Sequence, residues 1–170
     1  MIVYRGLEKS SGIKCPGPCF FLRFPISYEA MLEQLFQHQA DLNKRIGFDP
    51  ETLRKNFDPK LAGQWLNNYI MAAASELEEL RDCIYWKHWC AEAKQGRRFE
   101  LHDLQNARVE VIDLLFFWIS MAQCLGLDAH DVMELYRQKL AVNHDRQDAD
   151  YSMQNKTEDD NKGINLKRES

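Results

Sequence analysis

The sequence predicts an all-α protein, a helical bundle of four to five main helices. Apolar residues recur at helical spacing, no segment of useful length alternates as a β-strand does, and cap and turn residues separate the helical segments. With 170 residues, 45 % of them hydrophobic, the chain can form one domain with a core. We expect an irregular N-terminal extension over 1–25, a helical domain over 26–151 and a polar, disordered tail over 152–170.

The first two long helices are bounded by cap and turn residues. The first is predicted to follow Ser27, its N-cap, and to end at GFDPE, 47–51. Asp58 and Pro59 indicate a short separate helix start, and the second long helix is expected from about Ala62 to Tyr85. The apolar positions that keep helical spacing in the first helix are Met31, Leu35, Leu42 and Ile46.

Two further helices are predicted in the second half of the chain. The third spans about Leu101 to Cys124, and the fourth spans about Ala129 to His144, with Gly126 as a break between them. The third helix is apolar on nearly every side, which indicates that it is buried on several sides.

Charge and cysteine content narrow the class of protein. A net charge of −4 argues against nonspecific duplex binding, which needs a basic face, so we expect no nucleic-acid partner. The longest apolar stretch, VIDLLFFWISMA, is shorter than the roughly 20 residues of a membrane-spanning helix, so no membrane is expected. Five scattered cysteines and no signal-peptide core predict a cytoplasmic location.

Acidic residues at a spacing of three mark two of the predicted helices. Glu76 and Glu79 lie in ELEELRDCIYWKHW, and Glu110 and Asp113 lie in NARVEVIDLLFFWISMAQ. A carboxylate within an apolar helix costs free energy unless it is compensated. If the two helices pack antiparallel, four carboxylates can surround one hole, which suits Mg²⁺ or Mn²⁺.

Two other interpretations of the acids account for parts of the pattern. A solvated acidic face explains Glu76 and Glu79 when they are taken alone, but it does not explain Asp113 within its apolar run. A di-iron bundle needs Glu-x-x-His pairs, and none of these acids is followed by histidine at that spacing.

A basic and amide-bearing segment, YRQKLAVNHDRQDADY, lies near the end of the predicted fourth helix. Lys139, Asn143 and Arg146 can share a helix face, with Tyr151 shortly after them. Cations and an amide suit a phosphate group, although cations at a helix C-terminus also serve the helix dipole.

These segments, in this order, resemble the all-α dUTPase family, often called dimeric dUTPases. The family includes phage enzymes that act on dUTP and dCTP, and it is related to the MazG-type pyrophosphohydrolases. The shared patterns are E-x-x-E-x-x-D before W-K-x-W, then E-x-x-D, then K-x-x-x-N-x-x-R-Q-x-x-x-Y, and QADLN at 39–43 matches an earlier Gln-to-Asn motif. The resemblance covers about 28–151.

The resemblance implies a MazG-like fold completed by dimerisation and a metal-dependent enzyme that hydrolyses dUTP to dUMP and pyrophosphate. It implies Glu79 as the residue that orients or deprotonates the attacking water, and Asp82 beside the sugar or a metal-bound water. The metal ligands that it implies are Glu76, Glu79, Glu110 and Asp113. The other nucleotide-binding residues that it implies are Gln39, Asn43 and Trp86 at base and sugar, and Lys139, Asn143, Arg146 and Tyr151 at the phosphates.

Departures from the family pattern keep alternatives open. Phe116 stands where the family often has histidine, Asp150 replaces the glycine before the final tyrosine, and Ser152 replaces a basic residue after it. dCTP or a wider range of deoxynucleotides is the alternative substrate, since uracil and cytosine differ at one donor and acceptor edge. A non-catalytic helical interaction module is the alternative class of protein.

Overall fold

The computed structural model describes residues 28–148 and 161–166. Its helices are α1 (Tyr28–Arg45), α2 (Pro50–Lys55), α3 (Pro59–Asp82), a π-helical turn (Ala93–Arg97), α4 (Leu104–Cys124) and α5 (Ala129–Asp148). Within those residues the β-structure is an isolated bridge between Ile84 and Leu101, so the all-α prediction is confirmed. The predicted extension over 1–25, Tyr151 and most of the predicted tail lie outside the described residues.

Both Asp-Pro pairs start helices, because aspartate accepts from the first free backbone N–H groups and proline has none to lose. Asp49 caps α2, which the sequence analysis did not predict. Asp58 accepts from the backbone nitrogens of Lys60 (2.9 Å) and Leu61 (3.3 Å). The predicted short helix at Asp58 is therefore wrong, since this pair begins the long helix α3.

Helix α3 ends at Asp82, three residues before the predicted end. Tyr85 donates its backbone N–H to the Glu100 carbonyl and accepts from the Phe99 N–H, both at 3.1 Å. These bonds replace the helical ones, so the chain turns into a hairpin that returns to α4. Trp86 and Trp89 consequently stand beyond the helix that carries the acids.

The antiparallel pair α3 and α4 forms the centre of the fold, with α1 lying across α4 and α5. One part of the core consists of Phe48, Leu53, Ala62, Tyr69 and Cys124. The other part consists of Phe36, Ile119, Ala122 and Ala129.

The turn between α4 and α5 bends the chain by 98°. Gly126 occupies a left-handed conformation there, with φ of 70°. Arg54 of α2 pairs with Asp128 and with Asp131 (3.1 Å), which ties α2 to the first turn of α5. Asp128 and Asp131 also cap that turn by exchanging backbone-to-carboxylate hydrogen bonds of 3.2 and 2.8 Å.

The single chain leaves many apolar side chains exposed. Helix α1 exposes Met31, Leu35 and Leu42, and Ile46, directly after the helix, is exposed as well. The exposed apolar side chains of α4 are Leu104, Val109, Val111, Ile112, Phe116 and Trp118. The predicted burial of the third helix on several sides is found toward its C-terminus, where Ile119, Ser120, Ala122, Gln123 and Cys124 are buried. It is not found in the preceding turns, because α1, α2 and α3 do not cover the whole circumference of α4 there.

In the described part of the chain, no helix taken alone combines the length and the apolar character needed to cross a membrane. Taken together, α4 and α5 have the length and apolar composition of a membrane-spanning segment, but they are bent sharply against each other.

Candidate active site

Three acids from two helices meet between α3 and α4. Glu76 and Glu79 lie one turn apart on α3, and the antiparallel arrangement brings Glu110 of α4 opposite them. One carboxylate oxygen from each lies within 4.8 Å of the others. Glu110 is only 5 % exposed, and the Asn106 side-chain amide donates a hydrogen bond of 2.8 Å to it. We refer to Glu76, Glu79 and Glu110 as the acid cluster.

The electrostatics of the acid cluster favour a bound cation or proton. Burial, a hydrogen bond to Glu110 and the charges of Glu79 and Asp113 raise the pKa of Glu76 above its ordinary value. Carboxylate oxygens at this separation suit a hard divalent cation, which removes their mutual repulsion. The residues present therefore fit such a metal ion.

Asp113, the fourth predicted ligand, is half-buried and lies one turn after Glu110. Its oxygens are not among those within 4.8 Å of one another in the acid cluster. Its charge nevertheless contributes to the raised pKa of Glu76, so it belongs to the same electrostatic surroundings.

Gln39 and Asn43 are enclosed between α1, α3 and α4. They are 4 % and 1 % exposed, and Gln39 donates from its amide to the Asn43 side-chain oxygen at 3.0 Å. Asn43 also bonds to Tyr69, Ser120 and Gln123. Instead of lining an open pocket, the two amides form part of a buried polar cluster in this structure.

Three members of this polar cluster were not predicted from the sequence. Tyr69 resembled an ordinary apolar core position, although its hydroxyl can form hydrogen bonds. Ser120 and Gln123 carried a usable signal, because they are polar residues one turn apart within the otherwise apolar second half of α4.

Asp82 and Trp86 form a pair beyond the acid cluster. The Trp86 indole N–H donates to the Asp82 carboxylate at 2.7 Å, and the Arg81 guanidinium lies 4.1 Å from the centre of the Trp86 ring. The indole hydrogen bond, with help from the cations of Lys87 and Arg81, lowers the pKa of Asp82. Both side chains border a cleft of about 300 Å³ that His102 also lines.

The predicted phosphate-binding residues lie on α5, which packs against α1. Lys139 donates to the Asn161 side-chain oxygen at 2.5 Å, Asn143 is exposed and Arg146 is half-buried. Tyr151 lies outside the described residues. No hydrogen bond or ion pair found for Lys139 or Asn143 within 28–148 and 161–166 reaches the acid cluster.

The helical fold and the acids shared by α3 and α4 are typical of an all-α nucleoside triphosphate pyrophosphohydrolase. A family model described as dUTPase matches residues 31–124, more than half of the chain, and the chain belongs to this family. The resemblance noted in the sequence is thereby confirmed, and the protein is an enzyme that hydrolyses nucleoside triphosphates to release pyrophosphate. The alternative of a non-catalytic module is wrong.

A dCTP pyrophosphatase of Enterobacteria phage LZ5 is 28 % identical to this chain over 141 residues, which cover 71 % of this chain and 82 % of that protein. No solved structure matches the chain significantly. The family match contains the acid cluster, Gln39 and Asn43, but it stops at the end of α4 and does not include α5.

Proposed function

We propose that this enzyme is a metal-dependent dUTP pyrophosphatase that releases dUMP and pyrophosphate. The acid cluster carries this proposal, because three carboxylate oxygens within 4.8 Å of one another suit a hard divalent cation, which in turn suits a triphosphate substrate. Membership of the dUTPase family supports dUTP as the substrate.

Mg²⁺, or Mn²⁺ in its place, would be held by Glu76, Glu79 and Glu110, with Asp113 beside them. When bound, such an ion neutralises negative charge on the triphosphate and on the leaving pyrophosphate. Asn106 holds the Glu110 carboxylate in place through its hydrogen bond of 2.8 Å.

Glu79 is the exposed member of the acid cluster and therefore the one that solvent reaches most easily. We propose that Glu79 orients and deprotonates the attacking water. Its carboxylate accepts the water proton while the water oxygen bonds to the α-phosphorus in line with the leaving group. The bond from the α-phosphorus to the bridging oxygen breaks, and pyrophosphate departs with that oxygen.

The nucleotide is proposed to contact three groups of residues. Gln39 and Asn43 recognise the base, and Asp82 and Trp86, already joined to each other, border the sugar. The proposed phosphate-binding residues are Lys139, Asn143, Arg146 and Tyr151.

The second candidate substrate is dCTP, which the name of the phage relative favours. The deciding experiment measures pyrophosphate release from all common dNTPs and NTPs, with Mg²⁺ and with EDTA. We expect the highest kcat/KM with dUTP, and only with metal present. A higher value with dCTP would support the second candidate, and release from no nucleotide would contradict the proposed function.

We also propose a cytoplasmic homodimer that covers the exposed apolar residues of α4. Val111, Ile112 and Phe116 are large apolar side chains that are exposed close together, and such a patch often marks an interface with another protein chain. The thiols of Cys83, Cys90 and Cys124 are free, which fits a reducing compartment. Sedimentation equilibrium tests the dimer, and Val111→Glu is expected to yield monomers. A wild-type chain that stays monomeric at every concentration would contradict it.

A further inference from the structure

A continuous set of amide hydrogen bonds links α1 to α4. Gln123 donates from Nε2 to the backbone carbonyl of Phe36 (2.8 Å), and its Oε1 accepts from Asn43 Nδ2 (2.9 Å). Asn43 Oδ1 in turn accepts from Gln39 Nε2 (3.0 Å) and from the Tyr69 hydroxyl (2.9 Å). We refer to this set as the amide relay.

A backbone carbonyl sets the direction of the amide relay, because such an oxygen can only accept. The carbonyl of Phe36 requires the nitrogen of the Gln123 amide, so the Gln123 oxygen faces Asn43. That oxygen requires the Asn43 nitrogen, which leaves Oδ1 of Asn43 for Tyr69 and Gln39. Burial raises the pKa of Tyr69 to about 12, so its hydroxyl stays protonated and donates.

Ser120 sets the same direction independently. Its hydroxyl donates to the backbone carbonyl of Phe116 at 3.0 Å. With its proton used in this way, Ser120 Oγ acts as the acceptor for Gln39 Nε2 at 2.8 Å. Two acceptors, Asn43 Oδ1 and Ser120 Oγ, therefore orient the Gln39 side-chain amide with its nitrogen toward the amide relay.

The direction of the relay leaves one atom unmatched. Gln39 Oε1 is buried, and none of the residues that the structure describes donates a hydrogen bond to it, although Gln39 is only 4 % exposed. A buried acceptor without a donor costs free energy, and a ligand that donates to it recovers that cost. Because this oxygen is fully enclosed here, a base reaches it only after neighbouring side chains have moved.

We infer that Gln123 is a positioning residue: through Asn43, it holds the Gln39 side-chain amide with its oxygen available to the base. The subsite then selects the pyrimidine that presents an N–H donor to this oxygen. This inference rests on the part of the proposed function that places the base at Gln39 and Asn43. At ring position 3 uracil donates where cytosine accepts, and at position 4 the reverse holds. An amide held in one direction therefore separates the two bases at either position, whereas a freely flipping amide does not.

The test measures binding in EDTA, so that it depends neither on metal nor on turnover. Dissociation constants of dUMP and dCMP are determined by calorimetry for the wild type and for Gln123→Met, which keeps side-chain length but can neither donate to Phe36 nor accept strongly from Asn43. We expect the wild type to prefer one nucleotide by about tenfold, the effect of one well-matched hydrogen bond. The variant should lose most of that preference by weakening the preferred nucleotide.

Two further variants make the result interpretable. Tyr69→Phe removes the hydroxyl that donates to Asn43 Oδ1 with little change of shape, and it should also reduce the preference, even if Gln123→Met does not fold. Gln37→Met makes the same exchange at an exposed position of α1, where the amide contacts Asp41 at 3.2 Å. It should keep the wild-type ratio.

Several results would overturn the inference: a wild type that binds neither nucleotide or binds both equally, an unchanged ratio in the relay variants, or equal weakening of both nucleotides. Equal weakening would show that Gln123 only supports the fold. If the binding ratio changes as expected but no dNTP is hydrolysed, the proposed function fails and the inference about base recognition stands.

Discussion

Asn43→Ala is expected to destabilise the folded protein strongly, because Asn43 is the hub of the amide relay. The side chain is 1 % exposed and bonds to Gln39, Tyr69, Ser120 and Gln123. Alanine removes both the donor and the acceptor and brings in no substitute. The effect on folding should therefore be visible before any effect on nucleotide choice is considered.

The size of the effect follows from the partners left behind. Gln39 Nε2 and Asn43 Nδ2 both point to Ser120 Oγ, so that hydroxyl keeps one amide donor after the substitution. The Tyr69 hydroxyl and Gln123 Oε1 lose the partner that the structure shows for each of them in Asn43. Two unmet buried groups at about 1–3 kcal/mol each give a loss of about 2–6 kcal/mol, a large part of a typical total of about 5–15 kcal/mol.

Urea unfolding followed by tryptophan fluorescence and by circular dichroism measures this loss in metal-free buffer. Asn67→Ala is the matched control, since Asn67 is exposed on α3 and alanine is the better helix former. The control should unfold at the wild-type urea concentration or above it. A loss of less than about 1 kcal/mol for Asn43→Ala would refute the reasoning, because it would mean that water or rearrangement meets the buried groups at no cost.

Three further predictions concern the acid cluster. Millimolar Mg²⁺ should raise the Tm of EDTA-treated protein, and Glu110→Gln should abolish the rise because it removes a charged ligand; identical melting with and without metal would count against the site. Glu79→Gln should lower pyrophosphate release at least about a hundredfold, while an uncleavable dUTP analogue still binds; near-normal turnover would remove Glu79 from the chemistry. The raised pKa of Glu76 means that the folded chain keeps a proton that the unfolded chain has lost, so metal-free stability falls as pH rises from the ordinary glutamate range through the raised pKa. Glu76→Gln should remove that part of the fall, and a stability difference from wild type that stays constant between about pH 4 and 8 would contradict it.

Aspartate before proline is a local signal for a helix start, and it begins both α2 and α3. The sequence prediction used it incompletely, because it assigned Asp58 to a short helix and took GFDPE only as the end of the first helix. The end of α3 could not be located in this way, because Tyr85 leaves the helix to pair with a strand-like segment around Glu100. Such pairing depends on residues that are distant along the chain.

The acid cluster was predictable in its membership and only partly in its geometry. A spacing of three places Glu76 beside Glu79 whatever the fold, and the same rule joins Glu110 to Asp113. Which acid of α4 lies closest to α3 depends on how the two helices are rotated against each other. That rotation brings Glu110 into the group and leaves Asp113 outside the 4.8 Å limit.

By itself, the sequence determined the helical class, the acids that share each helix face and the resemblance to the dUTPase family, because each of these depends on residue type and short-range spacing. Only the tertiary structure decided that Gln39 and Asn43 are buried and joined to Ser120 and Gln123, while Leu35 and Val111 stay exposed. Helical periodicity shows which residues lie on the same face of a helix. Whether that face meets another helix depends on the crossing of segments some eighty residues apart along the chain.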